Sequence, residues 1–362
     1  MSQSNLQTPV SRLGQWLASP LNPRQYLELI NPLWANRCCG EVVAIRRETD
    51  AAVTLEINPN HLWNGAVSGQ YVRLGIDVEG VRYWRCYSVA SAQMPTDRTF
   101  SVTIGRVDGG RVSTHIQDAL RVGDVIALDQ ATGDFTLPTS ASQTPLLFIS
   151  AGTGVTPIAG MLRHLRDTGV EADVVHLHYA PDQRRCLFAE ELAAFNQLSS
   201  FRTHQLYTRA DGAAKSSSHF SLQQLSAICP DWAERKAYVC GPVPLMDAVR
   251  QVWSDGNLSE QLTEECFQPV RADVPTGAGG QVSFWKAGSE VAGAGDKSLL
   301  EVAEDAGLLP AHGCRMGICQ GCIVTLKEGQ VRDLTTGDVF GEAGESIRIC
   351  VCAAAGDVTI DL

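Results

Sequence analysis

No stretch of this chain approaches the roughly 18 consecutive apolar residues that a membrane span needs. The first 30 residues also lack the unbroken apolar core of a signal peptide. A surplus of basic residues is missing too: 29 Lys and Arg stand against 40 Asp and Glu, a net charge of -11, which argues against nucleic acid as the main partner. There is no internal repeat. Charged residues at 19 % and hydrophobic residues at 44 % exclude disordered and fibrous classes. These absences leave a globular protein, expected in the cytoplasm, whose twelve cysteines read as metal ligands, reactive thiols and small buried hydrophobes rather than disulfides. At 362 residues the chain suits two or three domains.

The residue pattern divides the chain. Residues 1–36 carry Pro and Trp and read as an extension of short helices, with Asn22-Pro23 as a helix start, a stop near Ile30, and Tyr26, Leu27, Ile30, Leu33 and Trp34 at helical spacing. Its apolar face and net charge of +2 over residues 1–40 raise peripheral attachment to a membrane as one reading, a strap on the next domain being the other. From 37 to about 140, short alternating runs such as "EVVAIRRE", "AVTLEI" and "TFSVTIGRV" are split by turn residues, the signature of an antiparallel barrel or sandwich. From 141 to 267 strand and helix alternate, which predicts an α/β domain with a parallel sheet. Residues 268–278 read as a Gly- and Pro-rich linker. The remainder, 279–362, holds 12 acidic against 6 basic residues and opens with a strand and a capped helix at Ser298 and Glu301.

Within that last part stands "HGCRMGICQGCIVTL". The spacing Cys314-x4-Cys319-x2-Cys322, completed by a distant Cys350, is that of a plant-type [2Fe-2S] centre. A second C-x2-C pair, which structural zinc favours, is lacking. Gly313, Gly317 and Gly321 allow backbone N–H groups to turn toward sulfur. For the fourth ligand Cys350 is preferred and Cys352 stays open. Such a cluster takes one electron at a time, so something upstream must load it.

Four upstream motifs bear on that. "RCYS" (85–88) closes a predicted strand. In "GGRVSTHI", Gly110 and Ser113 open a helix whose N–H groups suit a phosphate. "AGTGVTP" (151–157) departs from the G-x-G-x-x-G fingerprint, yet sits between strand and helix with Gly152 and Gly154 permitting close backbone approach and Pro157 setting the first turn. "VCGP" (239–242) puts the Cys240 thiol at the carboxyl edge of the sheet, where ligands of open α/β sheets bind.

In this order the motifs resemble the ferredoxin-NADP reductase superfamily, and with the cysteine loop residues 37–362 resemble its three-domain members that serve oxygenases and desaturases. The resemblance implies a multidomain α+β and α/β fold: an antiparallel flavin-binding β-barrel, a parallel-sheet NAD(P)-binding domain and a C-terminal β-grasp ferredoxin domain. It further implies that Arg85, Cys86, Tyr87, Ser88, Gly110, Arg111, Val112, Ser113 and Phe267 bind flavin, with Arg85 at the phosphate and Ser88 near N5. Gly152, Thr153, Gly154, Thr156, Pro157, Thr208, Arg209, Cys240, Gly241 and Pro242 would bind the nicotinamide nucleotide. Ser88, Cys240 and Glu265 would form the catalytic contact. FAD is expected over FMN, and NADPH over NADH because Arg209 would pair with a 2'-phosphate; the neighbouring Asp211 speaks for NADH. The leader resembles that of bacterial reductases feeding membrane-bound di-iron acyl-CoA desaturases, so such a desaturase is the first expected acceptor and an oxygenase component the second. That partner would bring the protein to the inner face of the membrane. A non-catalytic redox sensor or metal-binding scaffold is the reading from a different class.

Overall fold

The computed structural model describes residues 31–92, 99–209, 219–267, 277–312, 315, 317 and 321–362. The helix expected from Asn22 to Ile30 lies outside them. The described chain begins with a single 3-10 turn, Pro32–Trp34, capped by the Asn31 side chain accepting from the Leu33 N–H at 2.9 Å.

Alternating β-branched residues then build β1 (Cys39–Thr49), β2 (Ala52–Pro59), β3 (Tyr71–Val78), β4 (Val81–Ser88), β5 (Phe100–Gly105) and, after helix α1 (Arg111–Asp118), β6 (Val125–Leu128). They pair antiparallel in the order β4-β3-β6-β1-β2-β5. A bridge between Val89 and Val102 joins the chain leaving β4 to β5 and closes the sheet into a barrel. Inward-facing Leu55, Ile57, Val72, Leu74 and Val102 fill it, with Trp63 stacked on Phe100 at 4.8 Å. The alternation seen in the sequence is therefore the in-and-out pleat of a barrel wall.

The next unit runs β7 (Leu146–Ala151), α2 (Val155–Thr168), β8 (Val174–Ala180), α3 (Ala189–Phe195), β9 (Phe201–Tyr207), α4 (Leu222–Ile228), β10 (Lys236–Cys240), α5 (Val243–Asp255) and β11 (Leu262–Glu265). Its sheet is wholly parallel, ordered β11-β10-β7-β8-β9. Both faces are covered, so all seven residues of β8 are buried. Gly169 ends α2 in the left-handed conformation, φ 66°. Helix α2 also fastens this unit to the barrel. A Cβ on Gly160 would stand 2.7 Å from the Val89 carbonyl oxygen and 2.9 Å from that of Ser91, and Arg163 donates to the Ala90 carbonyl at 2.5 Å while pairing with Glu191.

The C-terminal unit comprises β12 (Gly277–Phe284), β13 (Ser289–Gly295), α6 (Leu299–Asp305), β14 (Ile323–Asp333), β15 (Val339–Phe340), β16 (Ser346–Arg348) and β17 (Cys352–Ile360). The main sheet is ordered β13-β12-β17-β14-β15, parallel between β12 and β17 and antiparallel elsewhere, with β16 pairing β14. Helix α6 carries the expected capping box and buries Leu299, Leu300 and Val302 on the sheet, a β-grasp arrangement. Strand β12 begins at Gly277, inside the stretch read as linker, because Gly277 pairs with Gly295. Among the described residues no helix is long and apolar enough to cross a membrane.

Candidate functional site

Strand register explains how motifs scattered over 180 residues meet. In the parallel sheet Cys240 stands beside Ser150 on one side and Glu265 on the other, so the turns after β7, β10 and β11 open at one carboxyl edge. Gly152–Gly154 forms a 3-10 turn there, with Gly152 at φ 55°. Gly154 touches the next loop: a Cβ at this position would lie 2.1 Å from the Cys240 carbonyl oxygen. Thr156 and Pro157 fall in the first turn of α2 and are buried. Thr208 and Arg209 follow β9, their N–H groups donating to the carbonyls of Ala180 and Pro181, and the Arg209 side chain is exposed. Asp211 lies outside the described residues.

The barrel offers the opposite wall. A cavity of about 460 Å³ is lined by Arg85, Cys86, Tyr87 and Ser88 of β4, by Gly110, Arg111, Val112 and Ser113 of α1, and by Thr153, Thr156, Glu265 and Phe267 of the α/β unit. Every residue expected to bind flavin is thus on one cavity. Sequence reasoning missed Tyr71, Thr103, Arg106 and Arg315, which also line it. The first three sit in strands or turns with no motif around them. Arg315 was visible only as a residue of the cysteine loop.

The cavity is electrically divided. Arg85, Arg106, Arg111 and Arg315 gather positive charge, and Arg111 reaches the Tyr83 hydroxyl at 3.2 Å. Ser113 is already engaged, its hydroxyl accepting from the Val107 N–H at 3.1 Å and donating to the Gly110 carbonyl, so it shapes the loop at the start of α1. At the other end the Ser88 hydroxyl donates to the Glu265 carboxylate at 3.4 Å. Burial pushes the Glu265 carboxyl up to about 8, against the pull of that hydrogen bond. Cys240 has no exposed surface, and burial, followed by Glu265 and Cys266, drives its thiol well above the usual range. Burial also raises Tyr87, which stays protonated.

Of the four expected cluster ligands, Cys314 and Cys319 lie outside the described residues. Cys322 and Cys350 are buried with their sulfurs 3.1 Å apart, close enough to serve one metal ion. The Cys322 thiol is lowered to about 6 by its hydrogen bond with Cys350, against burial, with backbone N–H groups and Arg348 adding to the fall. Cys352 belongs to β17; burial, then Asp333, pushes its thiol up to about 12, the environment of an inert core cysteine. The loop reaches the barrel directly, for Arg85 Nη1 lies 3.3 Å from His312 Nε2.

Comparison with known proteins agrees with this geometry. Residues 49–137 match an oxidoreductase FAD-binding domain, 148–251 an oxidoreductase NAD-binding domain and 286–355 a 2Fe-2S iron-sulfur cluster binding domain. The chain belongs to the ferredoxin-NADP reductase superfamily, among the members that carry flavin, nicotinamide and plant-type [2Fe-2S] domains on one polypeptide. It is 38 % identical to an NADPH oxidoreductase of Mycobacterium tuberculosis over 97 % of this chain and 91 % of that one. It is 31 % identical to a glycine betaine monooxygenase reductase subunit of Pseudomonas aeruginosa over 81 % and 86 %. Phthalate dioxygenase reductase shares the fold at 21 % identity, TM-score 0.66, covering 90 % of this chain and 97 % of that one. The protein is an NAD(P)H oxidoreductase of the ferredoxin reductase type that uses FAD and a [2Fe-2S] cluster. The residues fit both groups: the cavity joins a cationic end to an aromatic one at a volume usual for a ligand site, and Cys322, its thiol acidified, stands paired with Cys350.

Proposed function

We propose that this chain is the NADPH-dependent reductase of a multicomponent system and passes electrons to a separate oxygen-activating iron protein. The observation that carries the reading is the convergence of Ser88, Cys240 and Glu265 where the barrel cavity meets the carboxyl edge of the sheet. Bound FAD would supply the chemistry that turns a two-electron hydride donor into a source of single electrons for a [2Fe-2S] cluster. The chain's own part is positioning. Arg85 and the N–H groups opening α1 would hold the flavin's phosphates, with Tyr87 and Phe267 as the aromatic side chains available to its ring. Gly152, Gly154, Gly241 and Pro242 admit the nucleotide's backbone closely, and Cys240 sits beside the nicotinamide. Ser88 and the protonated Glu265 place a fixed hydrogen-bonding pair at the reacting edge and leave no charge there at neutral pH. Cys314 and Cys319 complete the ligand set with Cys322 and Cys350.

NADPH is the nucleotide this reading selects, because Arg184 and Arg209 follow the carboxyl ends of β8 and β9 on the exposed rim. Arg209→Ala is expected to raise KM for NADPH about tenfold and leave NADH unchanged; equal effects on the two would remove Arg209 from the 2'-phosphate.

For the acceptor, the relatives named as reductase subunits of a monooxygenase support an oxygenase component. The membrane-bound di-iron desaturase stays as a second reading on the resemblance of the leader, residues 1–36, alone; the 97 % match to the mycobacterial NADPH oxidoreductase takes in most of that leader but names no acceptor. Reconstitution with each class of acceptor from the same organism decides: NADPH-driven turnover of one, beside brisk reduction of a dye by the reductase in both mixtures, selects it. A protein with no flavin spectrum and no NAD(P)H-dependent cytochrome c reduction would be a sensor or scaffold instead.

A further inference from the structure

The C-terminal unit reaches into a cavity otherwise built by the first two. Arg315 belongs to the cysteine loop, in left-handed backbone at φ 60°, a conformation that costs a non-glycine residue energy unless its surroundings hold it there. Its guanidinium pairs with Glu304 and lies 3.2 Å from His312 Nε2. Its Nε is buried without a hydrogen-bond partner, and the side chain lines the same cavity as Arg85 and Arg111.

Arg85 approaches the same His312 Nε2 from the barrel at 3.3 Å. The His312 Nδ1 lies 3.0 Å from the Pro310 carbonyl, so it donates there and leaves the Nε2 lone pair to face both guanidinium groups. Two cations are thereby held around one neutral acceptor, and Glu304 is the carboxylate that faces them. Like charges gathered this closely, with one carboxylate between them, leave a net positive charge at the cavity wall. An anion belongs there.

We propose that Arg315 is a direct ligand of the flavin's phosphate, so that flavin binding and the docking of the iron-sulfur domain on the barrel form one linked equilibrium. The proposal rests on the reading of Arg85 as the phosphate-binding arginine. Linkage is reciprocal: bound flavin draws the cysteine loop onto the barrel, and the docked loop tightens the flavin. The competing account makes Arg315 a strut that holds the loop to α6 through Glu304.

The test uses the full-length protein stripped of flavin with its cluster retained, checked by visible absorption, and titrated with FAD, FMN and riboflavin by fluorescence quenching. Arg315→Gln is expected to weaken FAD and FMN about tenfold, the usual worth of a charge-assisted contact, and riboflavin less than about twofold. Glu304→Gln removes the rival carboxylate and is expected to tighten FAD. A strut predicts otherwise: Glu304→Gln would weaken FAD as Arg315→Gln does, and riboflavin would suffer equally. If Arg315→Gln loses its cluster, Arg315→Lys decides, with FAD binding kept within about threefold supporting the proposal and a tenfold loss overturning it. Arg85→Gln separates the two levels. A weakened FAD there beside unchanged FAD in Arg315→Gln refutes the proposal alone, whereas unchanged FAD in both refutes the cavity reading as well.

Discussion

Replacing Glu265 by glutamine should stabilise the flavin-free protein, and the gain should depend on pH in a way the structure specifies. The folded carboxyl titrates at about 8 instead of 4.5, chiefly because it is buried, with the Ser88 hydroxyl opposing the shift. Between those values the unfolded chain loses this proton while the folded chain keeps it. The stability linked to it is therefore fully present below pH 4.5, declines as pH rises and is gone above about 8. At about 1.4 kcal/mol per unit, the 2.5 units separating 4.5 from pH 7 amount to roughly 3 kcal/mol. That is an upper figure, since the cavity opens to water. Glu265→Gln should thus gain almost nothing at about pH 4.5 and at most about 3 kcal/mol at about pH 7. Thermal melts of wild type and variant across this range give the difference, and infrared difference spectra show whether the carbonyl stretch of a protonated acid disappears in the variant. A pH-independent gain, or a wild-type carboxylate already ionised at about pH 6, would refute the reasoning.

The same geometry sets three further outcomes. If Cys240 takes its proposed place beside the nicotinamide, Cys240→Ser should retain both cofactors but slow flavin reduction by roughly tenfold in stopped-flow mixing; an unchanged rate would displace Cys240 from that contact. Gly154→Ala puts a methyl group 2.1 Å from the Cys240 carbonyl, a backbone clash that should cost about 1–3 kcal/mol in melting experiments and abolish the protection that NADPH confers. His176 and His178 are wholly buried around the Ser150 hydroxyl, at 2.9 and 2.8 Å, and burial holds both neutral, His178 down to about 4. Their depressed pKa values make the linked stability present above about pH 6.5 and lost as pH falls, so amide protection of β7 and β8 should drop by about 1.4 kcal/mol per pH unit for each histidine, and level protection down to about pH 4 would contradict it.

The barrel and the parallel sheet were legible because their signals are local. Alternation marks "AVTLEI" as a wall strand, and a seven-residue buried run marks β8. The gathering of "RCYS", "AGTGVTP" and "EECF" was legible only through the resemblance, for strand order is a long-range property: nothing local puts Cys240 between Ser150 and Glu265. Arg315 escaped notice because its neighbours are cysteines and its target lies on another domain, and the prominence of the metal motif hid it. That the Ser113 hydroxyl is taken by its own loop is a use that a sequence motif does not reveal. Nothing local in the sequence separates Cys350 from Cys352; in the structure Cys352 is a buried residue of β17, while Cys350 precedes the strand with its sulfur 3.1 Å from that of Cys322.

Gly160 has a bearing on tolerance. Hydride passes over a single contact distance, so a displacement of a fraction of an ångström between barrel and sheet is felt in full. With the carbonyls of Val89 and Ser91 seated on a bare Cα, no compressible side chain separates the two bodies. Between the barrel and the cysteine loop the joint is made instead of polar side chains, Arg85, His312 and Arg315. The molecule has one joint in which backbone meets backbone with no side chain between, under the short-range step, and one made of side-chain polar contacts, at the cysteine loop.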